Sequence, residues 1–148
     1  FRQELKVDVT VTVNNPLGPQ LIETNCEVFE DAIVKLLTNA WESYDASADG
    51  PRPIWLNTEA AGKSAGEAAV QVNIEDRGRG LDPKIRDHVF EPFMSSKNTV
   101  GVGMGLTIAR HALRNLGGEV TLKDRQGGGV CAAMVHPLNR RTLAEQDE

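Results

Sequence analysis

The residue whose type and position most strongly indicate chemistry is Asp76. It ends the alternating segment 70–76. Because side chains alternate along a strand, the Asp76 carboxylate lies on the same core-facing side as Val70, Val72 and Ile74. A carboxylate there is costly unless hydrogen-bond donors reach it. Asp76 is therefore either a turn-forming residue bonded to nearby backbone amides or a buried acceptor for a planar ligand. An exocyclic amine such as that of adenine suits the second interpretation, because Gly78 and Gly80 leave room beside the carboxylate.

A second candidate is the glycine-rich stretch GVGMGL, which places Gly101, Gly103 and Gly105 directly before helix-like sequence. The N-terminus of a helix presents several N–H groups to one point and attracts anions. The glycines would let a phosphate chain approach the backbone closely. Lys97, just upstream, is placed to meet phosphates as a point charge. The alternative is a flexible loop that is rich in glycine for no chemical reason.

Asn39 lies beside the apolar stripe of the strongest predicted helix, residues 26–44. Its amide either bonds a neighbouring loop or offers oxygen to Mg²⁺, which prefers oxygen ligands. Asp31 and Lys35 lie two turns and one turn earlier on the same side. Their spacing predicts an i,i+4 ion pair, although a lysine there could also meet a phosphate.

Other patterns carry less weight. NTEAAGKS, residues 57–64, nearly matches a phosphate-binding P-loop, but Asn57 replaces its first glycine and no clear helix follows. His88, His111 and His136 are scattered, so we expect ordinary surface or packing histidines. No Ser-His-Asp arrangement or metal-type cluster of histidines and cysteines can be argued from the sequence.

The elements that must position these residues follow from the hydrophobic periodicity. Between the second and third predicted strands, we expect residues 60–68 to form a loop. Asp82 is a predicted N-cap of one or two helical turns. The order predicts an α+β fold with helices on one face of a mostly antiparallel sheet. The predicted strands are 5–13, 54–59, 68–76, 119–124 and 130–136, and the predicted helical segments are 26–44, 82–90 and 104–116.

Composition limits the function classes. The 148 residues carry a net charge of −5, which argues against a nucleic-acid partner because phosphate binding needs a basic face. We expect one domain, residues 1–138, followed by a polar tail, residues 139–148. Cys26 and Cys131 are expected to be reduced core residues. No apolar run approaches the ~20 residues of a membrane span, so we expect no membrane contact. Since the chain starts at Phe1, we expect a domain of a longer protein.

Four segments resemble, in this order, the N box, first glycine box, F box and second glycine box of sensor histidine kinases. They are LLTNAWES, EDRGRGLD, VFEPFMSSK and GVGMGLTIARHALRNLGG. Each segment alone is a modest indication, whereas four in order at suitable spacing are specific. The resemblance covers roughly residues 5–137. It implies the ATP-binding catalytic domain of such a kinase and its Bergerat fold, a two-layer α/β sandwich shared with DNA gyrase.

The resemblance also implies ligands, partners and residue roles. The cofactors would be ATP and Mg²⁺, and the location would be cytoplasmic, or the cytoplasmic part of a membrane-anchored sensor. The partners would be a helical dimerisation domain carrying the phosphoacceptor histidine, and a response regulator. Asn39 would hold Mg²⁺ and, with Lys97 in the lid, serve catalysis. Asp76 would accept a hydrogen bond from the exocyclic amine of adenine. The remaining implied nucleotide-binding residues are Ser43, Gly78, Gly80, Gly101, Gly103, Gly105 and Leu106.

Three features depart from the family pattern. Lys35 stands where sensor kinases usually carry a second asparagine and gyrase-like relatives a water-activating glutamate. Val130 and Ala132 stand where a threonine and an aromatic residue usually begin the last strand. No histidine fits the phosphoacceptor motif, so we expect the receiving domain upstream. These departures leave two alternatives: a nucleotide-binding module without kinase activity, and a gyrase-like ATPase, which Lys35 disfavours.

Overall fold

Over the residues that the computed structural model describes, the hydrophobic periodicities of the sequence correspond to five strands and two α-helices. It describes residues 11–16, 18, 22–44, 52–64, 67–81, 83, 84, 86–88, 90 and 105–138. Predicted positions that lie outside these residues are Asp82, Lys97, Gly101, Gly103, the segment 5–10 and the tail 139–148. The elements are β1 (Val11–Asn14), α1 (Cys26–Glu42), β2 (Ile54–Ser64), β3 (Glu67–Asp76), a 3-10 turn (Arg86–His88), α2 (Gly105–Asn115), β4 (Glu119–Asp124) and β5 (Val130–Pro137).

The strands form one sheet in the order β1-β2-β3-β5-β4. β1 pairs with β2 in parallel, and the other three pairs are antiparallel. The prediction of a mostly antiparallel mixed sheet with helices in an α+β fold is confirmed. β3 and β5 are antiparallel neighbours, so the end of β3 lies beside the start of β5 at one end of the sheet.

The core lies between the two helices and one face of the sheet. Helix α1 begins after Asn25, whose side chain accepts a hydrogen bond from Val28 N at 3.2 Å, as an N-cap does. The 3.6-residue period then places small and branched side chains on one face, where they pack against α2 and the sheet. The main core residues are Ala32, Leu36, Ala40, Ile54, Ile74, Ala109, Leu113, Val120, Ala132 and Met134.

The opposite face of the sheet carries several polar side chains that pair with one another, beside the buried Cys131 and Ala133. Two guanidinium groups lie against the Trp55 ring, with Arg77 at 5.0 Å and Arg125 at 4.9 Å from its centroid. Asn57 donates to Glu75 Oε2 at 2.6 Å. Arg125 Nε is buried without a hydrogen bond to the described part of the chain, and an ion pair with Glu75 Oε1 at 3.4 Å offsets part of that cost.

The predicted loop at 60–68 is wrong, because β2 continues to Ser64 and β3 begins at Glu67. The register shifts between Ala61 and Lys63, which marks a bulge. Alanine, glycine and lysine have low strand propensity, but cross-strand pairing overrides it here. The near-P-loop stretch 57–64 is consequently strand, not a loop before a helix.

Smaller corrections concern cysteine and the short helical segment. Cys26 is exposed at the start of α1, contrary to the expected core position, whereas Cys131 is buried; both are free thiols. Within 82–90, the described helical structure is the 3-10 turn alone. His136 is a packing residue as predicted: its ring meets Phe29 edge-on at 5.5 Å. Among the described residues, no helix is long and apolar enough to cross a membrane.

Candidate functional site

Asp76 closes β3 on the face that the helices cover, and it is 2% exposed. Its Oδ1 accepts from Gly78 N at 2.8 Å and from Val130 N at 3.4 Å. The first bond is the predicted turn contact. The second comes from the first residue of β5, 54 positions away in sequence. The carboxylate is thus held by main-chain N–H groups from two elements, which fixes its position and offsets the cost of burial.

Gly129, which lies in the turn between β4 and β5, packs against Asp76. A Cβ at Gly129 would overlap the Asp76 carbonyl oxygen and lie 2.7 Å from the carbonyl carbon. Its φ of +92° also favours glycine. The run of three glycines before β5 was the signal for this residue, but sequence does not tell which glycine approaches another strand.

The space beside Gly78 is occupied by Ser43. A Cβ at Gly78 would overlap the Ser43 hydroxyl oxygen and lie 2.6 Å from its carbonyl oxygen. That carbonyl also accepts from Arg79 N at 3.0 Å. Ser43, which is buried, donates its hydroxyl to Ala40 O at 2.7 Å. The room expected beside Asp76 at Gly78 is therefore filled by the protein, and the loop after β3 is joined to the end of α1.

Tyr44 makes a second join between the same elements. Its Oη accepts from Arg77 N at 2.8 Å and donates to Pro53 O. Burial is the main cause that raises the pKa of Tyr44 above its ordinary value of 10.0, so the phenol is protonated at neutral pH and able to donate. Tyr44 falls in the predicted helical segment 26–44, and this role was not predicted because both partners lie outside that helix, just before the start of β2 and just after the end of β3.

Asn39 lies in the last turns of α1 and is half-buried. Its main-chain carbonyl accepts a hydrogen bond from Ser43 N at 3.1 Å. The helix that carries Asn39 therefore ends at Ser43, the residue that contacts Gly78. One turn earlier, Lys35 Nζ lies 2.5 Å from Asp31 Oδ2, which confirms the predicted i,i+4 ion pair. Among the described residues, no group of three or more His, Cys, Asp and Glu side chains could hold a metal ion.

Gly105 and Leu106 begin α2, and Leu106 packs against the core. No described atom lies within 4 Å of the position that a Cβ of Gly105 would take. Two contacts hold this helix to Phe90: Thr107 Oγ1 donates to the Phe90 carbonyl, and the Arg110 guanidinium lies 4.5 Å from the centre of the ring.

Helix α2 is also held to β4, through Glu119. Arg110 lies 3.2 Å and Arg114 3.1 Å from its carboxylate oxygens. Burial raises the pKa of Glu119, but the hydrogen bonds from Val120 N–H, Arg114 and Arg110 outweigh it. The pKa of Glu119 is consequently below its ordinary value of 4.5.

Gly80 differs from its neighbour Gly78. Its φ is +79°, and the nearest atoms to a Cβ, Asp124 Oδ1 and Gly129 O, would be 3.9 Å away. The turn conformation, not crowding, is what favours glycine there. Asp76, Gly78, Gly80 and Ser43 thus lie together at one end of the sheet, where α1, β3 and the start of β5 meet, whereas Gly105 and Leu106 lie at the start of α2.

Comparison with known proteins gives a consistent result. A family model described as "Histidine kinase-, DNA gyrase B-, and HSP90-like ATPase" matches residues 27–140. The sensor protein CitS of Halalkalibacterium halodurans is 29% identical over 135 residues, covering 91% of this chain and 24% of CitS. The C4-dicarboxylate transport sensor protein DctS of Rhodobacter capsulatus is 32% identical over 114 residues, covering 75% of this chain and 16% of DctS. The chain spans about a quarter or less of the length of these relatives.

Solved structures share the fold. The mycobacterial sensor histidine kinase MprB superposes with a TM-score of 0.72 at 22% identity, covering 92% of this chain and 85% of the MprB chain. Full-length ShkA, solved in complex with AMPPNP, superposes with a TM-score of 0.70 at 20% identity, covering 87% of this chain and 25% of ShkA.

Proposed function

This chain belongs to the family of histidine kinase-, DNA gyrase B- and HSP90-like ATPases, and we propose that it is the ATP-binding catalytic domain of a two-component sensor histidine kinase. It binds Mg-ATP and donates the γ-phosphate to a histidine on a separate helical dimerisation domain. Residues 1–138 form the catalytic domain and 139–148 a polar tail. The phosphorylated histidine then serves a response regulator. The domain works in the cytoplasm without contacting nucleic acid or membrane.

The observation that carries this proposal is the buried carboxylate of Asp76, held by Gly78 N and Val130 N. Two backbone donors fix Oδ1, so the carboxylate has a defined direction. An ionised carboxylate accepts hydrogen bonds and donates none. It therefore favours a base edge that presents an N–H, as the amine of adenine does, and disfavours one that presents a carbonyl oxygen.

The residues at the other end fit Mg²⁺ and phosphates by their chemistry. Asn39 offers an amide oxygen, and Mg²⁺ commonly takes one or two protein oxygens while phosphates and waters complete its shell. The first turn of α2 presents backbone N–H groups, which favour anions. Lys97, Gly101, Gly103 and Gly105 would complete the phosphate contacts. When bound, Mg-ATP supplies the phosphoryl group.

The role of this chain in the transfer is positioning and charge stabilisation, which dominate phosphoryl transfer. Asp76 holds one end of the nucleotide and Asn39 the other, so the γ-phosphate is presented to an incoming imidazole. Lys35 does not replace the glutamate of gyrase-like ATPases, because its Nζ contacts Asp31 and a lysine side chain is a hydrogen-bond donor, not the carboxylate acceptor that activates water. We therefore expect slow ATP hydrolysis by the chain alone.

Phosphotransfer tests the proposal directly. The chain is mixed with the helical dimerisation domain of its parent protein and with ATP labelled on the γ-phosphate. We expect an acid-labile, base-stable phosphohistidine on that domain. It should be absent when the acceptor histidine is replaced by glutamine, and strongly reduced with Asp76→Asn. Asp87→Asn, an exposed position in the 3-10 turn, is the matched control and should transfer normally.

A second candidate is a nucleotide-binding module without kinase activity. Lys35 favours it, because this residue stands where kinases carry a second asparagine and it is engaged with Asp31. Normal ADP binding together with no phosphohistidine on an intact acceptor domain would select this function. Rapid ATP hydrolysis by the chain alone would contradict both candidates.

A further inference from the structure

We propose that Tyr44 is a positioning residue for base recognition: its phenol fixes the segment that carries the Asp76 carboxylate and so sets the preference for adenine over guanine. This inference rests on the proposed function, because it assigns to Tyr44 a part in nucleotide selection. Tyr44 itself need not touch the nucleotide. It acts through Asp76, by way of the main chain at the end of β3.

The first step is the place of the phenol oxygen. Tyr44 Oη accepts from Arg77 N at 2.8 Å and donates to Pro53 O. Arg77 directly follows Asp76, and Pro53 directly precedes Ile54, the residue that pairs with Asp76 across the two strands. One hydroxyl group therefore joins the residue before β2 to the residue after β3, one position beyond the Ile54–Asp76 pair.

The second step is the link from this hydroxyl to the carboxylate. Arg77 lies between Asp76 and Gly78, and Gly78 N donates to Asp76 Oδ1 at 2.8 Å. Any shift of the Arg77 peptide group therefore moves the donor that orients the carboxylate. Without the phenol oxygen, Arg77 N–H and the Pro53 carbonyl both lose this partner. An unsatisfied polar group costs free energy, so the main chain at Arg77 and Pro53 should shift until these groups bind other partners or water.

The third step is why a small shift affects selectivity. Adenine presents an amine donor at the edge where guanine presents a carbonyl acceptor. A carboxylate held on that edge attracts the first base and repels the second. A site built to hydrogen-bond one group rejects its analogue strongly only while the geometry is kept. Loosening the carboxylate should therefore weaken adenine binding and reduce the penalty against guanine.

The electrostatics of Tyr44 support this proximity. Burial is the main cause that raises the pKa of Tyr44, and the charge of Asp76 adds to it, whereas the hydrogen bond from Arg77 N–H and the charges of Arg77 and Arg125 lower it. The direction of the Asp76 effect agrees with the short main-chain path from the phenol to the carboxylate through Arg77 N.

The test compares wild type with Tyr44→Phe by calorimetric titration of ADP, GDP and inorganic tripolyphosphate. We expect ADP to bind about fivefold more weakly, in line with one lost hydrogen bond, while tripolyphosphate changes less than about twofold. The ADP-to-GDP preference should fall. Asp76→Asn should abolish that preference, and Asp76→Asn with Tyr44→Phe should bind ADP no more weakly than Asp76→Asn alone, since coupled residues are not additive.

Equal losses for all three ligands, or an unchanged ADP-to-GDP preference in Tyr44→Phe, would overturn the inference. Failure of the proposed function looks different: wild type would not bind ADP, or Asp76→Asn would keep the adenine preference. The two failures are therefore distinguishable in the same set of titrations.

A second measurement covers the case in which Tyr44→Phe does not fold. The chain contains a single tyrosine, so labelling with 3-fluorotyrosine gives one ¹⁹F resonance that belongs to Tyr44. We expect ADP to shift this resonance in the wild-type sequence, and tripolyphosphate to leave it in place. Asp76→Asn should remove the ADP effect. A resonance that ADP does not move would contradict coupling between Tyr44 and the base site.

Discussion

At the base end of the proposed site, Asp76 is 2% exposed and hydrogen-bonds to main-chain groups of two elements, whereas at the phosphate end Asn39 and Gly105 are half-buried on helices. The base end is thus part of the fold, because Gly78, Ser43 and the start of β5 pack around it. The residues of the phosphate end, Asn39 and Gly105, lie on the helices. Changes at the base end should cost both stability and binding, and changes at the phosphate end should cost binding alone.

The largest effect should come from Gly78→Ala. A Cβ there would overlap Ser43, whose backbone cannot move without displacing the end of α1. We expect a loss of about 3 kcal/mol or more in the free energy of unfolding, measured by urea denaturation. Gly62→Ala is the control, since no described atom lies within 4 Å of its Cβ position, and it should change stability by less than about 1 kcal/mol. Equal effects of the two variants would remove the distinction drawn here.

Asp76→Asn and Asn39→Ala should separate the two ends by ligand. Asparagine keeps the shape of Asp76 but loses the charge and presents donors, so ADP affinity should fall about 10- to 100-fold with or without Mg²⁺. Asn39→Ala should weaken binding mainly when Mg²⁺ is present. Calorimetry in magnesium and in EDTA measures both. If Asn39→Ala weakens ADP equally in EDTA, Asn39 is not a magnesium ligand.

Gly105→Ala should affect the ligand and spare the fold. No described atom lies near its Cβ position, and alanine is the better helix residue, so stability should be unchanged or higher by up to about 1 kcal/mol. A methyl group at the start of α2 would obstruct close approach of a phosphate, and we expect ADP to bind about three- to tenfold more weakly. Thermal unfolding and ADP titration of the same sample give both values. Unchanged ADP affinity would argue against phosphate contact at this residue.

Glu119 tests how firmly the phosphate-end helix is held to the sheet. Because its folded-state pKa is lowered, the carboxylate stabilises the fold above its unfolded value near 4.5, and this contribution is lost as pH falls through the lower folded-state pKa. The group is more than a third exposed, so the loss should be below about 1 kcal/mol. Glu119→Gln should narrow the difference in unfolding free energy between about pH 6 and about pH 3. The same pH dependence in Glu119→Gln would assign it to other carboxyl groups.

The smallest effect should come from Lys35→Met. The change breaks an ion pair whose members are 27% and 61% exposed, worth about 0.2–0.5 kcal/mol. ADP and ATP affinity should stay within about twofold, which is near the limit of mutational effects away from a site. A tenfold loss of ATP affinity with unchanged ADP affinity would show that Lys35 contacts the γ-phosphate and belongs to the binding site.

Much of the fold follows from local periodicity. The 3.6-residue pattern predicted α1 and α2 almost to their ends, and strand parity placed Asp76 on the covered face, where it is buried. The extension of β2 through residues 60–64 was missed, because its small and polar side chains carry no strand pattern. Residues 60–64 form strand because they pair with β3, and such pairing depends on the residues of both strands.

The sequence alone determined which helices and strands form and which side of β3 carries the acid, because these depend on neighbours within a few residues. Only the tertiary structure decided what surrounds that acid. Tyr44 meets Arg77 N from 33 positions away, and Val130 N meets Asp76 from 54. Gly78 packs on Ser43, and Gly129 on Asp76. Such contacts arise when separate elements pack at one end of the sheet, and no local pattern encodes which residues will meet there.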